Sequence, residues 1–353
     1  MPSTMSSAAP WPFDTIPRVL PPDGPGDPVI SRRAFVGGLA VAFGCGVSRA
    51  HAQQRPAGAR SYRIGVLTTA FGPNPPVVLG LKAGLAELGL HEGREVLFEI
   101  VHTRGQLDTL PAGVAGLVNA KVDVIFAGIE SPARAAMNAT RTIPIVFAQV
   151  GDPVAAGIVK SIAQPGSNVT GVSGLTTELA PKRLEALKSC APTLKRVWAV
   201  YAHDDSSSAA SARKAREAAA ALRLEILDRP VRSHEEAVSI LKTVPRTDGL
   251  LAPTTPSLDI TARVLDLAPF VPGVFDTPYW VKGGGLVAYG VDHEVQGRQA
   301  ARLVARILRG ARPEDLPVEN STRFELAINL KTAKQLGLTI PPAILARADE
   351  VIQ

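Results

Sequence analysis

The stretch Ile143–Leu175, IPIVFAQVGDPVAAGIVKSIAQPGSNVTGVSGL, contains the alternation that the rest of the chain repeats. Its first residues, Ile143–Ala148, form a short apolar run of the length of a buried strand. Asp152 suits the N-cap of a helix and Pro153 suits the first helical turn. We therefore predict a strand, a polar loop and a short helix that extends to Ala163.

The same stretch continues with a turn and a second strand. Pro165-Gly166 breaks the chain direction, and Asn168–Ser173 has the composition of a strand. In alternating α/β proteins, ligands usually bind at the loops that follow the carboxyl ends of the strands. The polar loop around Asp152 therefore predicts a ligand loop, next to a crossing of the chain between two lobes.

Strands and helices alternate along the remainder of the chain. Strands are predicted at Tyr62–Leu67, Val96–His102, Val122–Ala127, Arg196–Tyr201, Leu224–Leu227, Gly249–Ala252, Val271–Phe275 and Leu286–Val291. Helices are predicted after the loop Thr68–Pro73, ending at about Leu88, and at Leu107–Asn119, Ser131–Thr140, Glu178–Ser189, Ser206–Leu222, Ser233–Thr243, Asp259–Leu267 and Glu294–Leu308. Such alternation is typical of a parallel sheet covered by helices on both faces. The sequence predicts the α/β class.

Composition narrows the classes of partner. The chain has 353 residues, which favours two domains, and 46% hydrophobic with 20% charged residues is ordinary for a globular protein. The net charge of +6 is spread along the helices and forms no basic runs with interleaved aromatics. A solvated basic surface is therefore favoured over a nucleic-acid site.

The N-terminal residues have the pattern of an export signal. Residues 1–30 are rich in Pro, Ser, Gly and Asp, a composition typical of a disordered leader. Ser31-Arg32-Arg33-Ala34-Phe35-Val36 matches the twin-arginine pattern, an apolar run follows, and Ala50-His51-Ala52 supplies a small-x-small cleavage site. We expect residues 1–52 to be removed and the protein to reach the periplasm. The general secretory route stays open, as does lipidation at Cys45, although the lipoprotein box there is loose.

Two long blocks carry a family resemblance. VGDPV followed by QPGSNVTGVSGLTTELAPKRLEALK, and FELAINLKTAKQLGLTIPPAILARADEVIQ at Phe324–Gln353, resemble the solute-binding proteins of tryptophan-type ABC importers. The resemblance covers roughly Arg63–Gln353. It implies two Rossmann-like lobes with parallel sheets, the type I periplasmic-binding-protein architecture. It also implies a small-molecule ligand and no cofactor. The implied partner is an ABC permease with its cytoplasmic ATPase, and the protein is expected to contact the membrane only through that permease.

The resemblance also suggests how the chain is divided. We expect lobe one at residues 61–172, completed by about 292–322, and lobe two at 173–291. The C-terminal segment, residues 323–353, is expected to pack across the lobes.

No motif in the sequence calls for catalysis. The chain lacks a phosphate-binding loop, a dinucleotide-binding glycine pattern, a nucleophile elbow, and Cys or His pairs at metal-ligand spacing. We therefore assign no catalytic residue, no metal and no cofactor, and expect that the protein is not an enzyme.

Candidate ligand-binding residues are the small polar and aromatic side chains in loops that follow predicted strands. They are Thr69, Phe71, Ser131, Gly151 and Asp152 from lobe one, and Tyr201, Thr254, Asp276, Tyr279 and Asp292 from lobe two. A cleft site combines a few polar groups for the ligand's head with an apolar or aromatic wall for its body.

Each candidate also has a purely structural interpretation. Ser131, at a predicted helix N-terminus, either binds a carboxylate or simply caps the helix. Asp152 or Asp292 is expected to hold a ligand ammonium, and the alternative for Asp152 is again a cap. Tyr201 and Tyr279 either stack on a ligand ring or belong to the core.

These observations favour an exported solute-binding protein that captures an amino acid or related small carboxylate between two lobes. One alternative is a periplasmic sensor subunit that presents its ligand to a signalling receptor. A less favoured alternative is an exported α/β hydrolase, because no nucleophile–base pair is evident.

Overall fold

The computed structural model describes residues 61–70, 72–203, 205–252 and 260–353, without the side chains of residues 206, 260, 262 and 263. The expected export signal at residues 1–52 and the predicted site residues Phe71 and Thr254 lie outside the described residues.

The first sheet is parallel throughout and has six strands in the order β11-β5-β4-β3-β1-β2. They are β1 (Tyr62–Thr68), β2 (Val96–His102), β3 (Val124–Ala127), β4 (Ile145–Val150), β5 (Val169–Ser173) and β11 (Glu319–Asn320). Every residue of β3 and of β5 is buried. Burial explains why β3 is apolar throughout, and the buried Thr170 hydroxyl of β5 is satisfied by donating to the Leu316 carbonyl at 2.8 Å.

Four helices cover this sheet: α1 (Pro76–Glu87), α2 (Leu110–Asn119), α3 (Glu130–Ala139) and α9 (His293–Leu308). Helices α1 and α9 approach so closely that their backbones touch. A Cβ on Gly80 would lie 1.9 Å from the Glu294 carbonyl oxygen, and one on Gly297 would lie 2.0 Å from the Val77 carbonyl oxygen. Only glycine fits at these two positions.

The second sheet has seven strands in the order β13-β12-β10-β9-β8-β6-β7. They are β6 (Arg196–Ala202), β7 (Glu225–Val231), β8 (Gly249–Leu251), β9 (Gly273–Phe275), β10 (Val287–Val291), β12 (Phe324–Asn329) and β13 (Glu350–Ile352). Its helices are α4 (Ala180–Cys190), α5 (Ser206–Ala219), α6 (His234–Leu241), α7 (Ile260–Leu267), α8 (Pro278–Lys282), α10 (Leu330–Gln335) and α11 (Pro342–Leu345). All neighbouring strands are parallel except β12, which runs antiparallel to β10.

We define lobe one as the first sheet with its four helices and lobe two as the second sheet with its seven. The chain crosses between them after β5, after β10 and after β11. Two α/β lobes with parallel-dominated sheets confirm the predicted fold class.

The C-terminal segment differs from the expectation that residues 323–353 pack across the lobes. Its strands extend the second sheet, where β12 pairs with β10 and β13 pairs with β12. Leu326 and Ile328 of β12 face the core of lobe two and are buried there. Because the apolar residues of β12 are buried in the core of lobe two, the segment belongs to that lobe.

The predicted helix from Pro153 to Ala163 is wrong, because the chain forms a series of turns there. Gly157 adopts the left-handed conformation, with φ of +65°, and this ends the first turn. Ile158 and Val159 then pack into the lobe-one core, 1% and 5% exposed. A continuous helix would direct these adjacent apolar side chains to different sides.

The predicted cap of α3 is also wrong. The helix begins at Glu130, its N-cap is Ile129, and no side chain caps it. Ser131 therefore lies within the first turn. The Glu130 carboxylate accepts a hydrogen bond from Arg134 Nη2 at 2.7 Å, one turn later, and a negative charge in this position suits the positive end of the helix dipole.

Candidate ligand-binding cleft

The two lobes meet where the carboxyl ends of their strands face each other. Gly151 follows β4 in lobe one, and a Cβ there would lie 3.4 Å from the Thr176 Cβ and 3.5 Å from the Ser207 Cβ of lobe two. The Ser207 hydroxyl donates a hydrogen bond to Glu130 Oε2 at 3.3 Å. The structure thus shows the cleft with its edges in contact.

The contact between the lobes brings two acidic side chains near each other, one from each lobe. Asp205 caps α5 by accepting a hydrogen bond from Ser208 N at 2.8 Å, and Glu130 stands opposite it at the start of α3. Burial raises the pKa of the Asp205 carboxyl, and repulsion from the Glu130 carboxylate adds to that rise. A cation placed between the two lobes would relieve this repulsion.

A small cavity lies in lobe two at the carboxyl ends of β6 and β8, under the first turns of α5. Its volume is about 20 Å³. Residues that line it include Arg183, Tyr201, Ser208, Ser211, Leu251 and Ala252. Burial raises the pKa of the Tyr201 phenol, with Asp228 adding to the rise and Arg216 opposing it.

Arg183 is a buried residue in the lining of this cavity. It projects from α4 and is 2% exposed. Its Nε donates to the Tyr289 carbonyl and its Nη1 to the Thr176 carbonyl, each at 3.0 Å. Thr176 lies in the first crossing segment, residues 174–179 between β5 and α4. The two bonds therefore join this segment to β10, the strand that leads to the second crossing. Burial lowers the pKa of the guanidinium, and attraction to the Asp276 carboxylate opposes that effect.

Two of the five non-glycine residues with positive φ in the described ranges lie at the same edge. Gln149, in β4, has φ of +59°, and the register between β4 and β5 shifts between Phe147 and Val150. Leu175, in the first crossing, has φ of +50°. Non-glycine residues adopt this conformation rarely, and such residues cluster at ligand sites and hinges.

Among the predicted lobe-one residues, Thr69, Ser131, Gly151 and Asp152 all follow strand carboxyl ends, but their roles differ. Gly151 lies at the contact between the lobes. Asp152 Oδ1 accepts hydrogen bonds from Val154 N at 3.1 Å and Ala155 N at 3.0 Å, so one carboxylate oxygen is used to cap the turn. Ser131 is half-buried in the first turn of α3.

Among the predicted lobe-two residues, Tyr201 lines the cavity, whereas Asp292 is the N-cap of α9. Asp292 Oδ1 accepts from Glu294 N at 2.8 Å and from Val295 N at 3.1 Å. Asp276 follows β9, and its carbonyl oxygen lies against Gly290. Tyr279, in α8, is 40% exposed and makes an edge-to-face contact with Trp280 at 5.2 Å between ring centroids.

The cleft and the cavity also contain residues outside the predicted set of site residues: Glu130, Gln149, Arg183, Asp205, Ser207, Ser208 and Ser211. Some of them were detectable. The serine run at the start of α5 follows a strand, as the chosen residues do. Arg183 gave no such signal, because it lies inside an amphipathic helix and its partner Tyr289 is 106 residues away.

A larger groove of about 480 Å³ lies elsewhere on lobe two. Its lining includes Pro192 and Leu222, which follow the carboxyl ends of α4 and of the helical segment after α5. Helix carboxyl ends lie at the edge of a βα sheet opposite the strand carboxyl ends, so this groove does not belong to the cleft.

Neither a metal centre nor a membrane span occurs in the described ranges. Within them, no group of three or more His, Cys, Asp and Glu residues is placed to hold a metal ion. In that same part of the chain, no helix combines the length and apolar character needed to cross a membrane.

Comparison with known proteins identifies the family. The sequence profile described as ABC transporter substrate binding protein matches residues 75–352. The chain belongs to this family. It is also 28% identical to the tyrosine-binding protein of Clostridioides difficile (strain R20291) over 264 residues, which are 73% of this chain and 76% of that protein. The predicted resemblance to ABC substrate-binding proteins is therefore confirmed.

Two solved structures resemble the fold closely. An ABC domain from Streptococcus pneumoniae in complex with L-Trp has a TM-score of 0.72 and 25% identity, and the match covers 83% of this chain and 100% of that one. The ligand-free, open structure of a substrate-binding protein with adhesive properties from Clostridium difficile has a TM-score of 0.60 and 25% identity, with 83% and 99% covered. At equal identity, the lobes of this chain match the L-Trp complex better than the open structure.

Proposed function

We propose that this protein is an exported solute-binding protein that encloses a free amino acid, of the aromatic class, between its two lobes. The chain would then deliver the amino acid to the permease of an ABC importer. The proposal includes no catalytic step, because binding and closure are sufficient for this role. Ligand contacts in both lobes shift the population from open to closed.

The observation that carries the proposal is the meeting of the lobes at Gly151, Glu130 and Ser207. Helix α3 of lobe one and helix α5 of lobe two direct their N-terminal turns toward this meeting point. The acidic pair Glu130 and Asp205 suits a ligand ammonium. The ligands of two relatives, tyrosine for one and L-Trp for the other, support an aromatic amino acid.

The predicted site residues fit this proposal to different degrees. Gly151 and Tyr201 lie beside the meeting point or the cavity. Ser131 adds a hydroxyl in the first turn of α3. Asp152 and Asp292 each use one carboxylate oxygen as a cap, and we propose the other oxygen of each as a secondary polar group at the rim.

Thermal melting of the chain from Gln53 onward tests the proposal. A ligand that binds only the folded state increases the free energy of unfolding, by about 2.7 kcal/mol at a hundredfold excess over its dissociation constant. The melting temperature rises as a result. We expect L-tyrosine or L-tryptophan to raise the melting temperature, and D-glucose and adenosine, as uncharged polar controls, to leave it unchanged. No response to any of the twenty common amino acids would refute the assignment.

Delivery and export require their own tests. Members of the family normally act outside the cytoplasm, which supports export. Replacing both Arg32 and Arg33 by Lys is expected to leave precursor in the cytoplasm if the twin-arginine route is used. Co-purification with a membrane permease, rather than with a signalling receptor, separates the transport role from the sensor role.

A further inference from the structure

Arg183 is a buried cation of lobe two. It is 2% exposed, and in the described part of the chain no carboxylate oxygen lies within 4 Å of it. Asp276 attracts it from a greater distance. Its two hydrogen bonds, to the Tyr289 and Thr176 carbonyls, use two of five N–H donors. A buried charge is stable only when an opposite charge or further hydrogen bonds compensate for the lost water.

Ser211 is a second polar residue that lines the cavity, and its hydroxyl is unsatisfied within the described ranges. It lies one turn into α5, it is 5% exposed, and its hydroxyl has no hydrogen-bond partner among the residues described. The same cavity is lined by Ser211 and by Arg183. A buried hydroxyl without a partner is uncommon in folded proteins, and it leaves a donor that a water or a ligand oxygen can satisfy.

The cavity has the size of a single oxygen. Its volume of about 20 Å³ exceeds the roughly 10–15 Å³ that one water requires, and it is much too small for a whole amino acid. Leu251 and Ala252 make part of its wall apolar, which strengthens electrostatic interactions inside it. The N-terminal turns of α5 lie above it, and their dipole favours a negative charge.

From these observations we propose that the cavity is an anion subsite that receives one oxygen of the ligand's carboxylate. The Arg183 guanidinium is the counter-ion and the Ser211 hydroxyl is a donor. This inference rests on the proposed function and specifies it further. The carboxylate enters lobe two, while the ammonium lies toward Glu130 and Asp205, so that a zwitterion joins both lobes. A single structural water is the competing occupant.

The test compares ligands and variants by calorimetric titration. L-Tyrosine is compared with tyramine, which lacks the carboxylate, on the wild-type chain from Gln53 onward. Ser211→Val fills the cavity and removes the hydroxyl. Ser239→Val makes the same change on an exposed position of α6 in the same lobe and is the matched control. Arg183→Met, checked by circular dichroism for folding, removes the charge.

We expect the wild type to bind L-tyrosine about ten- to a hundredfold more tightly than tyramine, the effect of losing a hydrogen-bonded charge. Ser211→Val should weaken L-tyrosine binding about tenfold or more and leave tyramine binding unchanged, and Ser239→Val should change neither. Equal affinity for L-tyrosine and tyramine, or unchanged L-tyrosine binding by Ser211→Val, overturns the subsite, leaves the proposed function intact, and assigns the cavity to water.

The failure of the proposed function is recognised separately. If neither L-tyrosine nor any other amino acid binds, the proposed function falls, and sodium acetate is then used as the probe of the subsite alone. A rise in melting temperature with acetate in the wild type, absent in Ser211→Val and present in Ser239→Val, supports the anion subsite. No rise with acetate in the wild type overturns it.

Discussion

Replacing Gly297 by Ala should destabilise lobe one strongly. Gly297 lies on α9 where that helix crosses α1. An added Cβ would lie 2.0 Å from the Val77 carbonyl oxygen and 2.7 Å from the Leu81 nitrogen. Both are backbone atoms, so no side-chain rotation can relieve the contact. The helices must separate by more than an ångström, because ordinary contacts to a Cβ begin near 3.4 Å.

The size of the effect follows from two opposing terms. Overpacking of a well-packed interface costs typically about 1–3 kcal/mol and occasionally more. Alanine is favoured over glycine inside a helix by about 1 kcal/mol. Because the added Cβ would clash with backbone atoms of α1, which cannot rotate away, we place the packing cost at the upper end of its range. We therefore expect the free energy of unfolding to fall by about 2 kcal/mol.

Gly116→Ala is the matched control, because Gly116 lies inside α2 and a Cβ there meets nothing within 4 Å. It should stabilise the protein by about 0.5–1 kcal/mol. Urea unfolding followed by circular dichroism measures both changes, as shifts of the midpoint at constant slope. The packing argument is refuted if Gly297→Ala proves as stable as the wild type.

The cleft and the core give three other predictions. Asp152→Ala should lower the free energy of unfolding by about 1 kcal/mol, because two backbone N–H groups lose their acceptor; calorimetry on the same variant reports whether amino-acid affinity also falls, and an unchanged affinity makes Asp152 a turn cap only. The folded-state pKa of Asp205 is raised, so its ionisation opposes folding and stability falls as pH rises from about 3.9 through the folded value. Asp205→Asn keeps a capping side chain and should remove that fall, which melting temperatures between pH 3.5 and 6 would show; an identical pH profile in both proteins would contradict it. Burial raises the pKa of the Cys190 thiol to about 12, so Ellman's reagent at pH 8 should label it only after unfolding, and rapid labelling of the native protein would count against its burial.

Local patterns were sufficient to predict most elements of the fold. The bounds of β2 agree at both ends with the predicted Val96–His102. The helix predicted from Ser233 is present as α6, and Ser233 caps it by accepting from Glu236 N at 3.2 Å. These features depend on residues close in sequence. The turns after Pro153 do not, because there the burial of Ile158 and Val159 against lobe one overrides local helix signals.

The cleft was predictable only in outline. Strand carboxyl ends indicated where Gly151 and Tyr201 would lie. The contact between Ser207 and Glu130 spans 77 residues, and no spacing rule connects them. Arg183 is the clearest case, because a basic residue in an amphipathic helix is usually exposed, and only the tertiary structure shows that this one is buried at the crossings.

Closure of the lobes on an amino acid is the central claim, and the distance between the lobes measures it most directly. Spin labels on cysteines introduced at Asn138 of α3 and Arg213 of α5, both exposed, report that distance by double electron–electron resonance. Cys190 can remain, because it is buried. We expect L-tyrosine or L-tryptophan to shift the distances toward a shorter, narrower distribution. A distribution that stays the same at saturating concentrations of both amino acids contradicts the account.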